Sequence, residues 1–175
     1  MHSRWFRLTT RSLAFMGMMT ALQIILARVI NIPLGPNLRL NLAFLPVAAT
    51  GMLLGPFCAM LVAIAGDLLG NTLFSSGATF LGFTLVAALG GINYGLWLYR
   101  KRVTLLRAFL TIAPVTLVCN ILLNTYFLWL MKGNAILADI PARITKNLLQ
   151  FPINAILLYL FSQLMDRIPA RLKQM

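Results

Sequence analysis

Asp67 is one of only three acids in a chain of 175 residues, beside Asp139 and Asp166, and it stands inside a long apolar run, GDLLGNTLFSSGATFLGFTLVAALGGINYG (66–95). A lone carboxylate at membrane depth costs roughly 2.5 to 3.5 kcal/mol at a helix centre, so it is expected to face a polar interior or a ligand. The chemistry open to it is acceptance of paired hydrogen bonds from a donor-rich group. Two amide series could join it. Thr116, Asn120 and Asn124 recur every four residues, and Asn147, Gln150 and Asn154 keep helical register with Arg143. Arg28, Arg39, Lys132, Arg143 and Lys146 form a third set, a cation group suited to a carboxylate or phosphate. All of this is binding chemistry.

Catalytic chemistry has few candidates. The chain has no GxxxxGK[ST] loop to hold ATP, no HExxH and no GxSxG. Its single His is His2, next to the N-terminal residue, and no acid pair offers metal-ligand spacing. Neither an enzyme nor a metal or other cofactor is expected. Cys58 and Cys119 each lie within an apolar run and read as inert buried thiols.

Composition sets what must position these residues. Hydrophobic residues make up 60% and charged residues 10%, with a mean hydropathy of +0.86. Soluble domains carry about 25% charged residues, so an all-α integral membrane protein is expected, as a single membrane domain over residues 1–175. Six spans are legible, at about 13–30, 42–54, 57–73, 80–99, 108–130 and 147–164. The first is too long for a signal-peptide core, and Thr20 and Gln23 share a face that should look inward. Gly55-Pro56 makes a tight turn between the second and third spans. Gly51, Gly55, Ala59, Ala63, Gly66 and Gly70 in the second and third, with Ala87, Gly91 and Gly95 in the fourth, permit close helix contacts.

The net charge of +12 does not mark a nucleic-acid partner, because most cations flank apolar segments. Arg4, Arg7, Arg11, Arg100, Lys101, Arg102, Arg107, Arg167, Arg171 and Lys173 fall on one side if both termini are cytoplasmic. The outer remainder sits near the ends of the first and last spans. Single cations there could snorkel to lipid headgroups; several together suit an anionic ligand.

The run LRLNLAFLPVAATGMLLGP, then GDLLG, FLGFTLVAALGGINYG and ARITKN, resembles the folate-specific substrate-binding (S) components of energy-coupling factor (ECF) transporters, the FolT family, over about residues 14–164. The resemblance implies a six-helix S-component fold in the bacterial plasma membrane, capturing folate from outside. It also implies partners: a transmembrane coupling subunit and two cytoplasmic ATPases. Docking in that family uses small residues of the first helix, where Ala14, Gly17 and Ala21 stand here. Asp67, with Asn120 or Asn124, would then meet the pterin, and Phe80, Phe83 or Tyr126 would stack on the rings. Arg28, Arg39, Arg143 and Lys146 would hold the glutamate carboxylates. Asn41, Thr79, Thr84 and Asn147 complete the expected site, and segments 31–41 and 75–84 would close over it. The alternatives are an S component for another anionic vitamin, a stand-alone small-solute transporter and, third, a membrane enzyme.

Overall fold

The computed structural model describes residues 9–28, 32–33, 39–40, 42–73, 81–132 and 140–166, the side chains of Arg28, Ile32, Pro33, Arg39, Leu40, Leu81, Met131, Lys132, Ala142, Arg143 and Asp166 excepted. It is a bundle of six consecutive helical spans: α1 (Thr10–Arg28), α2 (Phe44–Leu54), α3 (Pro56–Leu73), α4 (Leu81–Leu98), a fifth made of three segments, and α7 (Ile140–Asp166). The fifth runs as α5 (Leu105–Pro114), a π-helical stretch (Val115–Leu123) and α6 (Asn124–Lys132). Two short strands, β1 (Ile32–Pro33) and β2 (Arg39–Leu40), pair antiparallel between α1 and α2.

Among the described residues four spans are long and apolar enough to cross a membrane alone: Thr10–Ala27, Pro56–Leu73, Leu105–Leu130 and Ile144–Met165. At 1.5 Å per residue α2 is only about 16 Å long, roughly half a hydrocarbon core. It reverses into α3 at Gly55, whose φ of 96° favours glycine. Pro46 sits in the first turn of α2, where a missing N–H costs nothing.

α3 and α4 are the most tightly joined pair. Gly91 lies against the backbone of Ala59 and Met60, and Gly95 against Pro56, so close that neither has room for a Cβ. α4 ends where Arg100 adopts a left-handed conformation (φ 52°), and Thr104 caps α5 by accepting from the Arg107 N–H at 3.4 Å. That cap starts the fifth span three residues before the expected 108. The sixth starts at Ile140 rather than near 147, with Pro141 in its first turn, so Arg143 and Lys146 stand on helix.

The packing falls into two groups. α1 to α4 form one; α5, the π stretch and α7 form the other, with α2 and α4 touching both. The core between them is small-residue rich, with Ala48, Ala59, Ala108 and Ala155 fully buried. Leucines such as Leu106, Leu122, Leu148 and Leu164 cover the outside, as a bilayer-facing surface requires.

Candidate functional site

A cavity of about 610 Å³ opens between the two groups. α1 supplies Gln23; α2 supplies Phe44 and Val47; α3 supplies Ala63; and α4 supplies Val86, Ala87, Gly90, Gly91 and Tyr94. The fifth span adds Ile112, Val115, Thr116, Cys119, Asn120 and Asn124, and α7 adds Lys146, Asn147, Gln150 and Asn154. Six side-chain amides and one ammonium therefore surround a volume within the range typical of small-molecule pockets. Among the described residues no carboxylate lines it.

The local winding explains part of this convergence. Through Val115–Leu123 the helix widens, and the Asn124 N–H donates to the Cys119 carbonyl, five residues back. Short π segments often mark functional sites. This one carries Thr116, Cys119 and Asn120 and hands over to Asn124, so residues three and four apart face the cavity together. Pro114 precedes it directly.

Aromatic surface comes from Phe44 and Tyr94, stacked at 6.2 Å between centroids with ring planes 24° apart. Sequence reasoning had no signal for Phe44, one Phe among 11, and only chain packing brings Tyr94 across from α4.

Of the residues expected at a ligand, Asn120, Asn124, Lys146 and Asn147 line the cavity. Asp67 does not. Its Oδ2 accepts the Thr84 hydroxyl at 2.9 Å, a bond that joins α3 to the start of α4. Phe83 is half-buried on α4 and does not line the cavity either. Tyr126 is 54% exposed and packs on Phe127 and Trp129, at 5.8 and 6.4 Å. The side chains of Arg28, Arg39 and Arg143, with Asn41, Thr79 and Phe80 and most of the two closing segments, lie outside the described residues. Ala14, Gly17 and Ala21 are exposed on α1, with open space around Gly17.

Among the described residues no His, Cys, Asp or Glu cluster could hold a metal ion, and the lining residues include no base paired with a nucleophile. A helical membrane bundle around an amide-lined cavity defines a solute-binding membrane protein. The comparisons with known proteins refine that class. The sequence model of the family described as "ECF-type riboflavin transporter, S component" matches residues 7–167. The folate transporter FolT of Clostridium novyi is 36% identical over 154 residues, 88% of this chain and 89% of that protein. The FolT of Leuconostoc mesenteroides is 32% identical over 84% of this chain and 82% of its own. A solved structure titled "Crystal structure of FolT bound with folic acid" superposes with a TM-score of 0.81 at 33% identity, covering 93% of this chain and 95% of that one.

The chain belongs to the FolT family of ECF-type S components. It is a multi-pass membrane transporter component and not an enzyme.

Proposed function

We propose that this chain is the high-affinity folate-binding subunit of an ECF-type importer in a bacterial plasma membrane. It captures folate outside the cell and, docked to a transmembrane coupling subunit with two cytoplasmic ATPases, delivers it inward. The reading rests chiefly on the likeness to the folic-acid-bound FolT over 93% of the chain. The cavity chemistry suits it. A pterin presents donors and acceptors in one plane, which amides such as Asn120, Asn124 and Asn147 can meet from several sides. Phe44 and Tyr94 offer ring surface, and Lys146 offers a charge for the glutamate tail. Arg28, Arg39 and Arg143 would add cations there, and Asn41, Thr79 and Phe80 would close the site. Both termini face the cytoplasm in this arrangement, and Ala14, Gly17 and Ala21 form the docking face toward the coupling subunit.

Folic acid titrated calorimetrically into detergent-purified protein is expected to bind one to one with nanomolar affinity. Reduced folates should compete, and riboflavin and thiamine should not. A second reading comes from the matching family description, which names riboflavin. Riboflavin has a flat ring system but no carboxylate to engage Lys146. Heat on riboflavin addition with none on folic acid would move the assignment to that vitamin. Silence toward both from monodisperse protein would remove the vitamin reading altogether.

A further inference from the structure

The interior of this bundle satisfies its polar groups locally. The hydroxyls of Thr20, Thr50 and Thr111 each donate to the backbone carbonyl four residues back, and the Asn93 amide donates to the Thr111 carbonyl. Two oxygens are exceptions. Gln23 Oε1 and Asn154 Oδ1 are buried and accept no hydrogen bond from the described residues. Both belong to side chains lining the cavity. A buried acceptor without a partner is a cost that native chains seldom carry without use.

Gln23 is placed deliberately. Its side-chain amide lies directly over Gly66 of α3, in the space that any Cβ at that position would fill. Gly66 itself does not line the cavity, so the absence of a side chain there serves the position of Gln23. The two acceptors also come from different parts of the bundle. Gln23 rides on α1, which packs on α2 and α3; Asn154 rides on α7, which packs on α5, the π stretch and α2.

We propose that Gln23 and Asn154 are the specificity-determining acceptors of the site, receiving N–H donors of the ligand's heterocycle. Bound ligand then bridges α1 to α7, two helices from the two packing groups. With the folate reading, on which this assignment rests, the donors are the 2-amino group and the ring N–H of the pyrimidinone edge. Gly66 acts as the positioning residue that holds Gln23 in reach.

The test combines calorimetry with thermal unfolding of the ligand-free protein for wild type, Gln23→Met, Asn154→Leu and Gly66→Ala. Folic acid and its 2-desamino-2-methyl analogue are the probes. Each variant should lose affinity for folic acid about ten- to a hundredfold, the range for a buried hydrogen bond left unmade. Ligand-free Gln23→Met and Asn154→Leu should unfold at the same temperature as wild type or higher, because an unsatisfied acceptor has gone. The analogue should bind wild type more weakly than folic acid, and that gap should shrink in Gln23→Met or Asn154→Leu. Gly66→Ala should mimic Gln23→Met and add little to it in the double variant.

Wild-type affinity in both side-chain variants would overturn the assignment while leaving the folate reading intact. A lowered unfolding temperature of ligand-free Gln23→Met, with no change in the analogue gap, would make Gln23 structural and overturn it equally. Wild type that ignores folic acid would fell the folate reading first and this assignment with it.

Discussion

At the scale of single residues, the Thr84–Asp67 bond decides how the membrane carboxylate is used. Hydrogen bonds to charged groups contribute roughly 1.5–3 kcal/mol, and this one ties two helices together at 2.9 Å. Thr84→Val is therefore expected to destabilise the protein by about that amount. Asp67→Asn keeps an acceptor oxygen and should cost less. The double variant should cost little more than Thr84→Val alone, because both changes remove the same interaction. Thermal unfolding in detergent checks all three. Folic acid affinity measured in parallel should change little, since neither residue lines the cavity.

At the scale of elements, glycines on α4 do two different jobs. Gly95 sits against Pro56 and Gly91 against Ala59, whereas a Cβ at Gly90 would meet nothing within 4 Å. Gly90 borders the cavity without any such contact, whereas Gly91 both borders it and packs on α3. Gly95→Leu should prevent α3 and α4 from closing and abolish monodisperse protein on size-exclusion chromatography. Gly90→Leu should elute as wild type yet fail to bind folic acid, because its side chain takes the ligand's space. If both variants behaved alike, the division between packing and cavity glycines would be wrong. Helix length follows a separate logic. The 27 residues of α7 span about 40 Å, longer than a hydrocarbon core of about 30 Å. Hydropathy marks where lipid ends, not where hydrogen-bonded winding ends, and so the first two turns of α7 read in the sequence as a loop.

At the scale of the whole molecule, the charge asymmetry and the buried thiols allow a direct test of orientation. Cys58 and Cys119 are buried, so an introduced exposed cysteine can be labelled without removing them. Lys101→Cys, in the exposed connection after α4, should react with an impermeant maleimide only from the cytoplasmic side. Thr145→Cys, exposed near the start of α7, should react from outside. The reverse pattern would invert the assigned topology. The face of α1 can be tested separately: Gly17→Trp should keep folic acid affinity and lose ATP-dependent uptake in liposomes containing the coupling subunit and ATPases. Loss of binding in that variant would place Gly17 in the fold of the site and not on a docking face.

Composition and spacing alone determined the broad answer. A chain with 60% hydrophobic residues and three acids needs an apolar medium around its helices, and its turns and small residues mark out the six spans. The four-residue spacing of Asn120 and Asn124 and the register of Asn147 with Asn154 were readable because one helix carries each pair, so covalent order fixes their relative direction. What the sequence could not decide is which polar residues of different helices meet. Asp67 and Gln23 give the same signal, a polar group in an apolar run. Helix rotation and approach separate them, and these depend on what meets Gly66, Gly91 and Gly95: small-residue spacing marks the contacts but no local pattern names the partners. Once α3 and α4 close over Gly91 and Gly95, Thr84 reaches Asp67 and satisfies it. Gln23 lies across Gly66 with its oxygen left unpartnered at the cavity. Packing between helices, and not residue type, assigns one polar side chain to the scaffold and the other to the cavity wall.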